Sequence, residues 1–439
     1  MRKLFLYLFI LFFFLTEVGE AQPRWVKLNS FPNRNTRRDD FFFINSRTGW
    51  VVDGNGYVCK TTDGGYSWTQ KYIGGLLRCI SFTDSLNGFI GIYDISLGGT
   101  SPLYRTTNGG TTWTGISNLP TPASKGFCGI QCVDANTIYA VGRIEGPPRI
   151  LKSTNAGSNW FYLNVDTSLA SRFVDVKFFS PDSGFVSGGH GPYSASAAVI
   201  LFTSNGGATW IKKFTGYNIK PYEAIWKFSF INRTTGFASF NQESDSIQFA
   251  KTSDGGNTWV TYSRPGTQTF FSQGIGFLNE NTGWIGGGTP SYFTTDGGDN
   301  WQITAFGDQL NRIRFYSDTL GYASGAGFYK YTADPNIKVV EQISNVAANF
   351  RLYQNYPNPF NPSTIISYEV PKTSFVTIKI FDQSGKEVRT LLESGASSGL
   401  YQISWDGRNN SGSDAPSGIY YCMFEARDFK ETRKMVLVR

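Results

Sequence analysis

Thr61-Thr-Asp-Gly-Gly-Tyr-Ser-Trp68 returns five more times along the chain. The copies are Thr106-Thr-Asn-Gly-Gly-Thr-Thr-Trp113, Ser153-Thr-Asn-Ala-Gly-Ser-Asn-Trp160, Thr203-Ser-Asn-Gly-Gly-Ala-Thr-Trp210, Thr252-Ser-Asp-Gly-Gly-Asn-Thr-Trp259 and Thr294-Thr-Asp-Gly-Gly-Asp-Asn-Trp301. Its chemistry is that of a hairpin turn. The Asp or Asn can accept hydrogen bonds from amides of its own turn, and the glycines permit positive φ where the chain reverses. The closing Trp opens the next strand with a large apolar surface to bury. Carboxylates are too few for a calcium loop. Successive tryptophans lie 45, 47, 50, 49 and 42 residues apart, the size of one four-stranded propeller blade.

A second unit precedes each hairpin: an aromatic strand, a polar turn, then a Gly-aromatic pair opening another strand. It runs Phe43…Gly49-Trp50, Phe82…Gly88-Phe89, Phe179…Gly184-Phe185, Phe230…Gly236-Phe237, Phe277…Gly283-Trp284 and Phe315…Gly321-Tyr322, with a degenerate copy at Val133…Ile138-Tyr139. These make seven units against six octapeptides. The seventh hairpin begins at Thr332-Ala333-Asp334, but Pro335 stands where the glycine should be. Arg24-Trp25-Val26-Lys27 resembles a Trp strand without its hairpin, and Trp25 lies 43 residues ahead of Trp68. The N-terminal strand is therefore expected to complete the last blade near Tyr329–Thr332 and close the ring. The fold class expected is all-β: a seven-bladed β-propeller over 22–334, followed by a small antiparallel β-sandwich.

The octapeptides resemble the Asp-box, or bacterial neuraminidase, repeat. Together with the Gly-aromatic strands they resemble the photosystem II assembly-factor-like propellers. That resemblance implies the fold; one such fold hosts many activities.

Residues 335–349 read as a linker and 350–439 as the sandwich. Pro-punctuated Tyr356-Pro-Asn-Pro-Phe-Asn-Pro-Ser-Thr364 excludes helix, and alternating strands follow at 365–370, 376–381 and 401–405. The Pro-rich opening resembles the type A sorting domain of the type IX secretion system. So do Ile380-Phe-Asp-Gln-Ser-Gly-Lys-Glu-Val388, Trp405-Asp-Gly407, Ser417-Gly-Ile-Tyr420 and Lys434-Met-Val-Leu-Val-Arg439. The resemblance implies an outer-membrane secretion translocon as partner. The same opening occurs in immunoglobulin-like domains of flagellar hook-capping proteins.

Arg2 and Lys3 precede an apolar run from Leu4 to Leu15, and Gly19-Glu-Ala21 fits signal-peptidase cleavage. Residues 1–21 read as a signal peptide. The run is too short for a comfortable transmembrane anchor, and no later stretch is long enough. The expected location is the outer cell surface or the medium, after export through the periplasm. Formal charge is +7, and the basic residues are scattered singly, which argues against nucleic acid. Of five cysteines, Cys128 and Cys132 sit four apart in one strand, roughly 13 Å along it, too far to bridge. Neither a metal site nor a cofactor is indicated.

A Ser-His-Asp triad would have to use the single histidine, His190, in a Gly-flanked loop. The sialidase reading wants an Arg-Ile-Pro string, whereas Arg143-Ile144-Glu145 and Arg149-Ile150-Leu151 lack the proline. A secreted sialidase-like or xyloglucanase-like glycoside hydrolase is the alternative, and would need two carboxyl groups roughly 5–10 Å apart across a cleft. A binding or adapter propeller, taking a glycan or protein ligand, is favoured over catalysis. A passive structural protein would show no cleft at all.

The a–b turn of each blade and the octapeptide hairpin should share one face. The irregular connections 93–101, 143–149, 188–198 and 241–246 fall on the other, where binding is usually placed. Counting four residues back from each motif Phe gives Asp39, Arg78, Asp175, Trp226, Gln273 and Asn311. These are the candidate ligand-binding residues, expected to ring the tunnel mouth on the variable-loop face.

Overall fold

The computed structural model describes residues 23–439 except 143–145, 217–219, 242, 289, 334–340, 345–348, 397 and 412. The leader read at 1–21, and Arg143–Glu145, thus lie outside the described residues. Seven four-stranded antiparallel sheets follow one another along the chain. Their innermost strands are Arg38–Phe43, Leu77–Phe82, Gly129–Cys132, Arg172–Phe178, Ile225–Phe230, Gly274–Phe277 and Arg312–Ser317; blades are numbered one to seven in that order.

The last Phe of the innermost strand faces the Gly that opens the second strand: Phe43 with Gly49, Phe82 with Gly88, Phe277 with Gly283. A Cβ at Gly49 would stand 2.5 Å from the Phe43 ring, so a side chain there would push the aromatic out of the core. In blade four the partner of Gly184 is Phe178, not Phe179. The expected motif is therefore one residue out of register there.

The octapeptide behaves as its residue types predict. In the first copy Thr61 Oγ1 accepts from the Gly65 amide at 2.9 Å, Asp63 Oδ1 from the Ser67 amide at 3.0 Å, and Trp68 Nε1 donates to the Gly65 carbonyl at 3.2 Å. Both glycines have positive φ, as does Ala156 where alanine replaces the first of them. The hairpin also touches the a–b turn of its own blade: Gly64 N donates to Arg47 O, and Gly206 N to Asp182 O. Both turns thus lie on one face. Neighbouring blades are joined there as well, for Trp50 Nε1 donates to Gly109 O at 3.0 Å and Tyr139 Oη to Gly206 O at 3.1 Å.

The ring closes through the N-terminal strand. Arg24–Lys27 pairs antiparallel with Phe328–Thr332, Trp25 opposite Tyr331. Trp25 stacks on Phe306 at 4.2 Å and meets Trp284 edge-on at 5.7 Å, while Val26, Leu28 and Phe31 are buried.

Past the ring, two four-stranded sheets form the sandwich. Thr364–Val370 alternates inward and outward side chains, and Tyr368, Trp405, Phe424 and Ile378 fill the core. The segment read as linker is not all linker: Glu341–Ser344 pairs with Gly399–Trp405 as an edge strand. Four residues are too few for alternation to announce a strand. The Pro-rich opening packs on the last strand, with Phe360 buried and its amide donating to Val436 O at 2.9 Å. No described helix is long and apolar enough to cross a membrane. The five cysteines are free thiols.

Candidate functional site

Four innermost strands enter the ring with a bulge near their first residues: between Arg38 and Asp40, Leu77 and Cys79, Phe173 and Asp175, Ile225 and Phe228. A bulge lets consecutive side chains leave the same side of a strand. The strands accordingly present two successive layers of side chains to the axis.

The first layer lies toward the variable loops. Asp39 Oδ1 accepts from Arg78 Nη1 at 2.6 Å and Arg37 Nε at 2.7 Å. Arg37 Nη1 reaches Gln273 Oε1 at 2.6 Å, and Gln273 Nε2 reaches Asn241 Oδ1 at 2.7 Å. Trp226 Nε1 donates to Asn311 Oδ1 at 2.7 Å, and Asn311 Nδ2 donates to the Asp39 carbonyl. The Arg78 guanidinium lies 5.1 Å from the Trp226 ring centre and 5.8 Å from that of Tyr93, both within cation–π range. Five of the six candidate residues therefore meet in one hydrogen-bonded group that bridges blades one, two, five and seven and the start of blade six.

Above this group opens a cavity of about 400 Å³. Asp39, Arg78, Trp226 and Gln273 line it together with Arg37, Tyr93, Tyr193, Tyr222 and Asn241. Arg78 and Trp226 are only 4% exposed; they are the packed floor. Tyr193 and Tyr222 are 39% and 45% exposed and meet edge to face at 4.5 Å. Tyr222 holds φ at 64°, an uncommon conformation for a bulky residue that surrounding structure must enforce. Its amide donates to Tyr193 O at 2.9 Å, and its carbonyl accepts from Asn241 Nδ2 at 3.3 Å. Arg172 braces the same loops: Nη2 donates to Glu223 O at 3.0 Å, Nη1 to Gly191 O at 3.1 Å, and the guanidinium faces the Tyr193 ring. Burial pushes the Glu223 carboxyl up to about 7, against the pull of the Ala198 amide it accepts from at 3.1 Å.

Asp175 is not in this layer. Because Phe178 is the true motif residue of blade four, the position four back is Val174, which packs with Cys128 and Trp226. Asp175 belongs to the second layer, with Asp40, Lys227 and Arg312. Arg312 Nη1 and Nη2 clasp Asp175 at 2.9 and 2.8 Å, and its Nε meets Asp40 at 3.2 Å. Lys227 Nζ stands 3.9 Å from Asp175 without a hydrogen-bond acceptor. All four are 5% exposed or less. Burial opposes ionisation of Asp175, but the Arg312 and Lys227 charges and the hydrogen bonds prevail and hold it down at about 2. Burial, then repulsion from Arg312, brings Lys227 down to about 8. The pair Arg312–Asp175 joins blades seven and four on opposite sides of the ring, and so bridges the tunnel at mid-depth.

Of this second layer only Asp175 was among the candidates; counting three residues back from Phe178 and its equivalents would have found Asp40, Lys227 and Arg312 as well. Sequence reasoning also missed Arg37, Tyr93, Tyr193, Tyr222 and Asn241. Tyr93, Tyr193 and Asn241 lie in the variable connections already singled out, whereas nothing in the sequence marks the positive φ of Tyr222. His190 ends the strand Gly184–His190, its Nδ1 buried without a hydrogen-bond partner, and is not among the residues lining this cavity.

Residues 363–428 match the family model of the FlgD Ig-like domain. The chain is 24% identical over 279 residues to the photosystem II assembly lipoprotein Ycf48 of Synechococcus sp. (strain CC9902), covering 54% of this chain and 79% of that protein. Among solved structures, YCF48 from Cyanidioschyzon merolae superposes with a TM-score of 0.54 at 19% identity, over 71% of this chain and 99% of that one. YCF48 bound to D1 peptide gives 0.53 at 19% identity, over 71% and 97%. The extracellular domain of a putative hybrid two-component system from B. thetaiotaomicron gives 0.52 at 9% identity, over 96% of this chain and 60% of that one. At these identities the likeness is one of fold.

Proposed function

We propose that this is an exported binding or adapter propeller that takes an extended ligand, a peptide or a glycan segment, at its variable-loop mouth. The observation that carries the reading is the composition of that cavity. Exposed tyrosines over a floor of Trp, Arg, Asn and Gln offer stacking surfaces and directional hydrogen bonds. Among the described residues its lining holds one carboxylate, Asp39, already engaged by two arginines, so a hydrolytic acid–base pair is not favoured there. That a related fold has been solved with a peptide makes a peptide the first ligand to try. Residues 1–21 would direct export, and the sandwich from about 350 would engage an outer-membrane translocon, leaving the propeller at the cell surface. Expressing the chain with and without residues 341–439 in a host bearing type IX secretion, then fractionating cells, tests the export half. Retention of the shortened form in the periplasm is expected, and normal surface display of it would refute this part. Peptide and glycan arrays probed with the mature chain test the binding half; no hit on either would refute it.

A further inference from the structure

The tunnel has a second cavity, below the Arg312–Asp175 bridge and open toward the turn face, with a volume of about 520 Å³. Its charges do not balance. Asp40 and Asp175 are matched by Arg312 and by Arg314, whose Nη1 lies 3.1 Å from Asp40 and also donates to Phe41 O. Asp318 is exposed at the rim. Lys177, half-buried in the cavity wall, is left over: among the described residues its side chain makes no hydrogen bond or ion pair, and its ammonium rests 5.3 Å over the Phe179 ring. Burial and then the Arg314 charge lower its pKa, while Asp175 works the other way. Lys227, buried behind the floor with no hydrogen-bond acceptor, adds a second positive charge that Asp175 only partly offsets. Uncompensated half-buried cations are costly unless paired.

Three polar side chains of the wall are turned to neighbouring blades instead of to Lys177. Gln131 exchanges two hydrogen bonds with the Phe178 backbone at 2.7 and 2.9 Å, Ser81 accepts from the Cys132 amide at 3.0 Å, and Ser229 from the Phe277 amide at 3.1 Å. The wall side chains thus lock neighbouring blades together, and Lys177 lines the cavity without their help. Phe230, Phe277 and Phe315 complete the lining and offer apolar surface to the body of a guest.

We propose that this turn-face cavity binds a small organic anion, its carboxylate or phosphate head seated between Lys177 and Arg314 and its apolar body against the Phe wall. The volume suits a ligand of that size. The site is separate from the variable-loop mouth and does not depend on the function proposed for it.

The test uses the mature full chain and four phenyl probes at constant ionic strength: benzoate, phenyl phosphate, benzamide and benzylamine, followed by calorimetry and thermal shift. Benzoate or phenyl phosphate should bind at least tenfold more tightly than benzamide, and benzylamine should not bind. The two anions separate a carboxylate site from a phosphate site. Lys177→Gln should weaken the anion at least tenfold while circular dichroism stays native, and Tyr222→Gly at the opposite mouth should leave it unchanged. Lys177→Arg, which keeps the charge, should bind within a few-fold of the parent. Equal binding of the anions and benzamide, or parental affinity in Lys177→Gln, overturns the proposal.

Discussion

Removing residues 23–31 should open the ring, and the cost can be worked from what the segment buries. Val26, Leu28 and Phe31 are 5–7% exposed; at roughly 1.5–3 kcal/mol per buried apolar side chain they contribute about 6 kcal/mol. Trp25 stacks on Phe306 and contacts Trp284, Phe315 and Tyr331, and aromatic pairs add about 0.5–1.5 kcal/mol each beyond area. Counting only part of these, the segment supplies about 8 kcal/mol. Domain stabilities run about 5–15 kcal/mol in total, so the loss is comparable with the whole. The truncation also bares the unpaired edge of Phe328–Thr332, an aggregation hazard. Thermal denaturation followed by circular dichroism should show a fall of at least ~15 °C, at about 2–4 °C per kcal/mol for a large domain, or no cooperative transition at all. A truncated protein melting with the parent would refute the closure reasoning.

Glu223, whose carboxyl is raised to about 7 in the fold, binds more protons folded than unfolded between about pH 4.5 and 7. Stability should therefore fall as pH rises through that window, and Glu223→Gln should remove the fall and stabilise at pH 8 by on the order of 2 kcal/mol, read from melting temperature against pH. Asp175 has the opposite sign: held at about 2, it contributes stability above about pH 4 that is lost as pH drops toward 2. Asp175→Asn should cost about 3–5 kcal/mol at pH 7, because Arg312 and Lys227 are left buried without it; a denaturant midpoint within error of the parent would contradict the bridging role. Gly49→Ala should destabilise by at least about 1 kcal/mol through overpacking against Phe43, and a neutral result by chemical denaturation would refute the tight Phe–Gly packing.

The propeller was legible because its signals are local and repeated. Each octapeptide carries its own turn chemistry, and the 42–50-residue interval between tryptophans supplies the blade count. Closure by Trp25 could be read because it breaks the pattern at one end where the seventh hairpin fails at the other. The tunnel residues were harder. The count back from Phe is sound only if every strand ends in register, and blade four ends one residue early, so Asp175 was put in the wrong layer. Exposure was also misleading from sequence alone: Arg78 and Trp226 look like free polar and aromatic contacts, yet each is held by partners across the axis. The tyrosines that reach solvent come from irregular connections, where no periodicity fixes a side chain's direction. The edge strand Glu341–Ser344 was illegible for a related reason, being defined by its partner strand rather than by its own pattern.

If the variable-loop mouth is a binding site, Tyr222→Gly combined with Tyr193→Ala should disable it. Glycine adopts φ near 64° without strain, and both rings are substantially exposed, so the variant should fold and melt within a few degrees of the parent. Peptide and glycan arrays probed with parent and variant chains, with affinities of the hits then measured by calorimetry, give the answer. Ligands that the parent binds should lose at least tenfold in affinity for the variant. Parental affinity in a properly folded variant would contradict a binding site there.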